Sequence, residues 1–454
     1  MWFKTSVLIV ITGFLYFPVF KYGFFQDDFL HLVTTQIPVS GLLKFFTDNS
    51  AIYYRPLGIQ LAYWLQQRIF GPQPIYFHLF GLLVHLLNTF LVYALIAKIT
   101  QNKSVSLFTS FLYATSATHF ISLFWLAETN LLLGTLVLFL SLNIYLSGRI
   151  GLSLILFILG LLTHEIVIIF PALAILLVRP RKVHLVSLVS LTLGYLLLRL
   201  VILPVPAGGT YTPQLNLNSL NSLIWYLLWS FNLPEELKYQ FILWPPHIQP
   251  KFLVNFASHL AIWLVSLLVL WSAILLKLKA LLENLSLSLL GIAWFIIGIS
   301  LFLVLPLHQY PNYIIAGLPG ITLLLSLVLS KLKPFWRGLI LAVWLAGSFL
   351  TIRITELTHW TVQEAQRVDR AFTKTHELYP QIPPNGTMII KSDYQIHQAL
   401  FDQLGLRFFY RQPKLTTYYG DFHDLMTPDC AIIEAQHLDP RLCLAKHNLF
   451  VLYP

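Results

Sequence analysis

Charged side chains are scarce in this sequence. Asp, Glu, Lys and Arg make up 11% of the 454 residues, whereas hydrophobic residues make up 57%. An ordinary soluble domain carries about 25% charged residues, and a soluble chain with so few charges could not cover its own surface. The scarcity therefore excludes an ordinary soluble protein and predicts an integral membrane protein whose main solvent is lipid.

Cysteine is nearly absent, because the chain has only Cys430 and Cys443. No CxxC or Cys/His metal spacing occurs, which excludes the usual zinc and redox motifs. The two cysteines could form a disulfide if the C-terminal segment is extracytoplasmic, or they could be buried small residues. Internal repeats and low-complexity segments are also lacking.

The net charge of +10 would suggest nucleic acid in a soluble protein. Here the basic residues fall mainly between apolar runs, so they indicate membrane topology, and no nucleic-acid partner is predicted. A bilayer-spanning helix needs about 20 mostly apolar residues. The sequence predicts about eleven spans, near 4–21, 76–97, 104–124, 130–147, 151–163, 165–178, 184–203, 256–276, 286–305, 312–330 and 335–353. The first is interpreted as a retained helix, since no small-x-small cleavage site precedes Lys21.

The distribution of Lys and Arg predicts the orientation of these spans. With a cytoplasmic N-terminus, each cytoplasmic turn carries Lys or Arg, and the short opposite turns at 120–129, 163–164 and 306–311 carry none. An odd number of spans then places the C-terminus outside. The basic turns contain Lys98, Lys103, Arg149, Arg179, Arg181, Lys182, Lys277, Lys279, Lys331, Lys333 and Arg337.

Two long loops are predicted on the outer face, at 22–75 and 204–255. In the first loop, Val39–Phe46 and Leu57–Phe70 mix apolar and polar residues, as interfacial helices do. The second loop contains an aromatic stretch, Leu223–Trp244, that could hold further interfacial helices. The predicted fold is mainly α, with a membrane core over 1–353.

A small extracytoplasmic α/β domain is predicted over 354–454, where charge and turn signals increase. We expect a linking helix near 360–379, and strands at Thr387–Lys391, Ala431–Glu434 and Leu449–Tyr453.

Two adjacent carboxylates, Asp27 and Asp28, follow the first span directly. Such a pair can bind a divalent cation through oxygen ligands. Without metal, each acid raises the pKa of the other, so that one can act as a base near neutral pH. The alternative is a solvated loop start in which Asp28 caps a helix.

Two arginines are candidates for binding phosphate. Arg55 stands just before Pro56 in the first long loop, and Arg199 lies towards the outer end of the seventh span. Arg55 could instead snorkel or pair with Asp27 or Asp28. Arg199 must pair with something, and the candidates are Glu165, an acid of the first loop, or a lipid headgroup.

Four further ionisable residues lie at predicted outer turns. Glu128 and His119 could contact an acceptor or a metal, and the alternatives are a helix cap and a core histidine. The His164-Glu165 pair interrupts an apolar stretch, where ionisable groups default to a functional hypothesis, although Glu165 could simply start the next helix. His308 could bind a metal or a phosphate, or neither.

All these groups fall on one face in the predicted topology. A gathering of carboxylates, histidines and arginines at a membrane surface suits the handling of a phosphate-bearing lipid. A transporter usually places its charges near the midplane, on broken helices in repeated halves. The one-sided arrangement and the lack of a repeat therefore favour an enzyme.

Several motifs of the chain resemble the C-type (lipid-dependent) membrane glycosyltransferases, especially the protein O-mannosyltransferase-like branch that includes the transmembrane-and-TPR mannosyltransferases. The resemblance covers roughly 1–353. It rests on the Asp27-Asp28 pair, Tyr54-Arg55-Pro56-Leu57, Tyr76-Phe77-His78-Leu79, Val84-His85-Leu86-Leu87-Asn88, Ala114 to Trp125, and Thr163-His164-Glu165 with Pro171.

The chain departs from that branch at several points. Ser116-Ala117 stands where a His-Pro is usual, and His164 replaces a lysine. The acid expected after the third-span turn is shifted to Glu128, and Asn130 stands in the place aligned with that acid. The TPR array is also absent from the sequence.

The resemblance implies transfer of a sugar from a polyprenyl-phosphate carrier to a glycan, lipid or protein acceptor on the extracytoplasmic face, with inversion. It implies Asp27 or Asp28 as the base. Arg55, His164, Glu165 and Arg199 would lie near the donor phosphate, and His119 and Glu128 near the acceptor. A divalent cation (Mg or Mn) held by Asp28, Glu128 or His308 is a further expectation. The alternatives are a flippase for a lipid-linked sugar, and a polymerase or ligase acting on lipid-linked glycans.

Overall fold

The computed structural model describes residues 2–47, 53–178, 181–203, 208–243, 246–248, 257–383, 386–390, 394–419 and 449–452. Helices make up most of this part of the chain, which confirms the mainly α prediction. Cys430, Cys443 and the strand predicted at 431–434 lie outside the described residues, so those predictions stay predictions.

Helices occupy all eleven stretches in which the sequence predicts spans. Among the described residues, five helices are long and apolar enough to cross a bilayer, and a sixth crossing results if one pair bent by 47° counts as a broken span. The other five predicted spans are shorter apolar helices. The chain is thus a polytopic membrane protein, and the number eleven stays a prediction. The five long helices are Pro74–Thr100, Leu126–Leu146, Lys182–Ile202, Leu285–Leu303 and Pro334–Thr358, and the bent pair is Lys103–Ala114 with Ala117–Phe124.

The α-helices are numbered here in chain order. They are α1 (Trp2–Tyr16), α2 (Asp27–Thr34), α3 (Lys44–Thr47), α4 (Ala62–Phe70), α5 (Pro74–Thr100), α6 (Lys103–Ala114), α7 (Phe120–Phe124), α8 (Thr129–Leu146), α9 (Ile150–Leu161), α10 (Phe170–Leu177), α11 (Lys182–Leu197), α12 (Leu217–Trp229), α13 (Leu237–Gln240), α14 (Ala257–Leu276), α15 (Leu278–Glu283), α16 (Leu285–Leu303), α17 (Leu318–Ser330), α18 (Pro334–Thr358), α19 (Trp360–Leu378), α20 (Tyr394–Ala399) and α21 (Leu404–Tyr410).

Short 3-10 or π segments join many of these helices. They are Phe17–Lys21, Val39–Gly41, Pro56–Leu61, Ala117–His119, Leu126–Glu128, Glu165–Ile169, Leu198–Ile202, Gly209–Tyr211 and Pro311–Ile314. The first long loop therefore contains helical segments at both predicted interfacial stretches. Helix α2 and the segment Val39–Thr47 meet at 106°, and this second bent pair would make a seventh crossing if it too counts as a broken span.

Two helix breaks, one after α6 and one after α9, are hydrogen-bonded to residues of the long loops. At the end of α6, the side-chain oxygen of Asn232 accepts hydrogen bonds from the Ala117 N–H at 2.9 Å and the Ser116 hydroxyl at 3.1 Å. At the second break, the Leu57 N–H donates to the Leu162 carbonyl at 3.0 Å. Both long loops therefore contact the helices directly and are part of the folded core.

Glycines let α16 and α17 pack with their backbones in contact. A Cβ atom added to Gly298 would lie 2.2 Å from the Gly317 Cα, and one added to Gly320 would lie 2.2 Å from the Gly291 carbonyl oxygen. Small residues at helix contacts are typical of membrane proteins, where close packing replaces the hydrophobic driving force.

The strands in the described part of the chain are short and form two small sheets. In the second long loop, β1 (Phe241–Leu243) and β2 (Pro246–Ile248) pair antiparallel. The C-terminal segment has a three-stranded parallel sheet in the order β4 (Thr416–Tyr419), β3 (Thr387–Ile390), β5 (Leu449–Leu452). The predicted helix near 360–379 and the strands predicted at 387–391 and 449–453 are confirmed as α19, β3 and β5, whereas β4 was not predicted.

Candidate functional site

Asp27 and Asp28 occupy the first turn of α2 and have different surroundings. Asp28 is fully buried, and its oxygens accept hydrogen bonds from the Tyr63 hydroxyl at 2.9 Å and the Phe25 N–H at 3.1 Å. Asp27 is half-buried, and within the described part of the chain no hydrogen bond or ion pair engages its carboxylate. The pair therefore consists of one anchored acid and one acid available to a ligand.

Burial changes the protonation of both acids. It raises the pKa of Asp27 to about 6. It also raises the pKa of Asp28 to about 7, although the hydrogen bonds from Phe25 and Tyr63 act in the opposite direction. A carboxylate with a pKa near 6 is mostly ionised at pH 7 and is still basic enough to accept a proton. Asp27 thus has both the access and the basicity of a general base.

Glu165 joins two arginines from distant parts of the chain. Its Oε2 lies 2.7 Å from Arg55 Nε, and its Oε1 lies 3.0 Å from Arg199 Nη2. Arg55 also donates to the Asn130 side-chain oxygen at 3.0 Å. Two guanidinium groups against one carboxylate leave these three side chains with one net positive charge, which suits an anion such as phosphate. We call Arg55, Glu165 and Arg199 the arginine triad.

Close backbone contact brings Arg55 to Glu165. The π segment Pro56–Leu61 packs on the break between α9 and α10, where a Cβ atom at Gly58 would lie 2.1 Å from the Thr163 carbonyl oxygen. Only glycine permits this approach. His164 accepts a hydrogen bond from the Ile166 N–H at 3.0 Å through Nδ1, so its buried ring caps the next helical segment. Contact between His164 and the donor stays a prediction.

Glu128 does not cap the following helix, since no side-chain hydrogen bond is made at that position. Its carboxylate instead accepts a hydrogen bond from the Asn312 side chain at 3.0 Å. Glu128 lies within electrostatic range of both Asp27 and Arg55. The structure therefore brings Asp27, Glu128 and the arginine triad to one site.

Aromatic rings from three loop segments border this site, and we call them the aromatic wall: Tyr53, Tyr211, His308, Tyr310 and Tyr313. The Arg55 guanidinium lies 4.7 Å from the centre of the Tyr53 ring. The Tyr53 and Tyr211 hydroxyls are 2.5 Å apart, and Tyr211 packs on His308 with ring centres separated by 4.2 Å. Rings with hydroxyl groups at their edges offer both apolar contact and hydrogen bonds.

The predicted metal ligands do not form a metal site in the described residues. This part of the chain contains no group of three or more His, Cys, Asp or Glu suited to hold an ion. Asp28 is bound by Tyr63 and Phe25, Glu128 by Asn312, and the His308 Nε2 lies 2.7 Å from the Tyr313 hydroxyl. The donor set therefore does not fit a three-ligand site, and metal dependence stays a prediction.

His119 lies apart from these residues. It is fully buried, its Nε2 lies 2.9 Å from the Tyr113 carbonyl oxygen, and its ring centre is 4.3 Å from that of His85. This is the arrangement of a core histidine, the alternative that the sequence left open. A role for His119 at the acceptor stays a prediction.

Sequence reasoning missed several polar residues around the site. Asn130 accepts a hydrogen bond from Arg55, and the sequence aligned Asn130 with an expected acid without giving it a role. Asn312 donates to Glu128, and a lone asparagine of this kind carries no signal of its own. Glu235 and His359, whose side chains approach to 3.1 Å, form a second buried pair. The Glu235-Glu236 sequence in an aromatic, apolar stretch was a usable signal for that pair.

Comparison with known proteins gives little at the level of sequence. No protein-family model matches the chain, and no curated protein matches it. Among solved structures, the chain is similar to the crystal structure of ArnT from Cupriavidus metallidurans bound to undecaprenyl phosphate, with a TM-score of 0.49 and 14% sequence identity over 96% of this chain and 94% of that one. The site is therefore assigned from its own geometry.

Proposed function

We propose that this chain is a glycosyltransferase that moves a sugar from a polyprenyl-phosphate carrier to an acceptor at the extracytoplasmic face of the membrane. One observation carries the proposal: the unpaired carboxylate of Asp27 and the arginine triad lie at one site beside the membrane helices. A base and a positive pocket are what the two ends of such a transfer require.

In the proposed reaction, Asp27 removes the proton of the acceptor hydroxyl, and the acceptor oxygen attacks the anomeric carbon. The bond from that carbon to the phosphate oxygen breaks, and the polyprenyl phosphate leaves with the electron pair. Attack opposite the leaving group inverts the anomeric centre. Asp28, bonded to Tyr63 and Phe25, holds the first turn of α2 in place.

The arginine triad is the proposed site of the donor phosphate. Charge develops on the phosphate as its bond to the sugar breaks, and preorganised cations stabilise that charge most in a partly desolvated site. A guanidinium has five N–H donors, and two of those on Arg55 go to Glu165 and Asn130. Glu165 thus orients both arginines and keeps the resting site from holding two unpaired charges.

Surfaces for the rest of the donor lie on either side of the triad. The aromatic wall begins at Tyr53 under the Arg55 guanidinium and is the proposed contact for the sugar. On the other side, Leu197, Leu200 and Val201 beside Arg199 are more than half exposed. Exposed apolar side chains next to a phosphate site suit the polyprenyl tail. The acceptor is a glycan, a lipid or a protein.

The experiment uses the purified protein in lipid discs with a panel of radiolabelled polyprenyl-phosphate sugars. We expect one donor to be consumed, with release or transfer of its sugar. A parallel assay uses the protein in sealed lipid vesicles, where movement of an intact donor across the membrane without consumption would overturn the proposal in favour of a flippase. Extension of a lipid-linked glycan would instead indicate a polymerase or ligase.

The same assay with chelator tests metal dependence. Because the described donors do not form a three-ligand metal site, no step of the proposed reaction involves a metal. A loss of turnover that Mg or Mn restores would show that a divalent cation is required after all.

A further inference from the structure

The C-terminal domain contacts the turn that presents Asp27. Gln26, the preceding residue, donates its backbone N–H to the Ala399 carbonyl at 2.8 Å. Its side-chain amide donates to the carboxylate of Glu364 on α19. Both partners follow the last apolar helix in the chain, so this turn of the membrane core is held by the domain beyond it.

The backbone of Gln26 is in a conformation that needs such support. Its φ is 49° and its ψ is −127°, and residues with a side chain rarely adopt positive φ. A strained residue keeps such a conformation only when its surroundings over-determine it. Gln26 and Glu364 are each 5% exposed, so their hydrogen bond is shielded from water. The two bonds of Gln26 thus set where α2 begins and where Asp27 points.

Apolar contacts accompany the polar ones. On α21, the Phe408 ring lies 5.9 Å from Phe24 and 5.8 Å from Phe29, which flank the acidic pair. Phe372 on α19 also packs on Phe29, with ring centres 5.8 Å apart. The domain therefore meets the turn over a packed surface, and the polar contacts are not an isolated pair.

We propose that the C-terminal domain completes the active site by positioning Asp27 through a clamp made of Gln26, the Glu364 carboxylate and the Ala399 carbonyl. Glu364 is a positioning residue, because it acts on Asp27 through Gln26. The inference rests on the proposed function, in which Asp27 is the general base.

Substitutions at Glu364 distinguish an effect on the position of Asp27 from an effect on donor binding. Glu364→Ala leaves the Gln26 amide buried without its acceptor, so Asp27 loses its fixed direction. A misplacement of about 1 Å can lower a rate by about 100-fold. Glu364→Gln keeps an oxygen that accepts the hydrogen bond, so it should restore most of the rate. The donor phosphate binds elsewhere, at the arginine triad, and its affinity should not change.

The experiment compares full-length wild type, Glu364→Ala, Glu364→Gln and Gln26→Ala in lipid discs, with Glu377→Ala on the exposed face of α19 as the matched control. We measure kcat and KM for the donor that wild type consumes, polyprenyl phosphate binding, and amide hydrogen exchange over residues 24–29. We expect Glu364→Ala and Gln26→Ala to lower kcat by about 100-fold at unchanged KM and lipid binding, with faster exchange.

Three results would overturn the clamp. They are wild-type kcat in Glu364→Ala, equal losses in Glu364→Ala and Glu364→Gln, or slow exchange at residues 24–29 in both alanine variants. An inactive wild type is a different result, since it rejects the proposed function, while the exchange data still report whether the contact holds the turn. If Glu364→Ala does not fold, the kcat and hydrogen exchange of Gln26→Ala decide whether the clamp exists.

Discussion

Arg55 and Glu165, which are 110 positions apart, form an ion pair of 2.7 Å between Nε and Oε2. The pair joins the first long loop to the helix break between α9 and α10. Arg199 lies on the other oxygen of Glu165, at 3.0 Å. The phosphate site that we propose therefore exists only when the first long loop, the helix break and the π segment Leu198–Ile202 are assembled together.

Replacing Glu165 with Gln should destabilise the protein and weaken the donor site. The variant removes the carboxylate that pairs with both guanidinium groups, and breaking a buried pair costs about 3 kcal/mol. We expect a clear fall in the thermal unfolding temperature of the detergent-solubilised protein. Glu283→Gln is the control, because its ion pair with Lys279 is exposed and should contribute little. Equal unfolding temperatures for the two variants would mean that the triad is not an assembled unit.

Asp28→Asn should act on the fold rather than on the chemistry. An asparagine amide directs a donor at the Tyr63 hydroxyl or the Phe25 N–H, where Asp28 accepts two hydrogen bonds. One buried group then loses its partner, which costs about 1–3 kcal/mol. We expect a lower unfolding temperature, with Tyr63→Phe giving a smaller fall in the same direction. Unchanged stability of Asp28→Asn would contradict the anchoring role.

The rate of transfer should depend on pH through Asp27. Its pKa is raised by burial to about 6, so the base is lost as the pH falls through that value. We expect kcat/KM for the donor to have an acidic limb near pH 6 with a slope of one. The limb should be measured between pH 5 and 8 at constant ionic strength. A rate that stays constant down to pH 5 would exclude Asp27 as the titrating base.

Gly58→Ala should move the segment that carries Arg55 away from the helix break that carries Glu165. The added Cβ atom would lie 2.1 Å from the Thr163 carbonyl oxygen, so the π segment must move away from the helix break. Overpacking of this kind costs about 1–3 kcal/mol, and we expect lower stability and weaker polyprenyl phosphate binding. Gly151→Ala, where nothing lies within 4 Å, is the control. Wild-type binding in Gly58→Ala would show that this contact does not set the Arg55 position.

The membrane helices were predictable because each depends on local composition: a run of apolar residues, interrupted or not, became a helix in every case. The pairing of Arg199 with Glu165 was also among the predicted choices. The partner of Arg55 was not, since the sequence suggested Asp27 or Asp28. The close contact of Gly58 with Thr163 accompanies that pairing, and no local sequence pattern indicates it.

The sequence did not indicate where the C-terminal domain lies relative to the acidic pair. Strand β4 was missed because Thr416–Tyr419 is only partly buried, and its partner β3 precedes it across two helices. The hydrogen bond of Gln26 to Glu364 joins residues 338 positions apart. Such contacts depend on tertiary packing, and single residues such as Gln26 carry no pattern that predicts them.

The most direct measurement is single-turnover release of sugar from the consumed polyprenyl-phosphate donor by wild type and Asp27→Asn in lipid discs, with donor binding measured on the same samples. We predict that Asp27→Asn binds the donor like wild type and unfolds at the same temperature, because no described residue engages its carboxylate. Its rate of transfer to the acceptor should fall by about 100- to 10,000-fold. Transfer by Asp27→Asn at the wild-type rate would contradict the account.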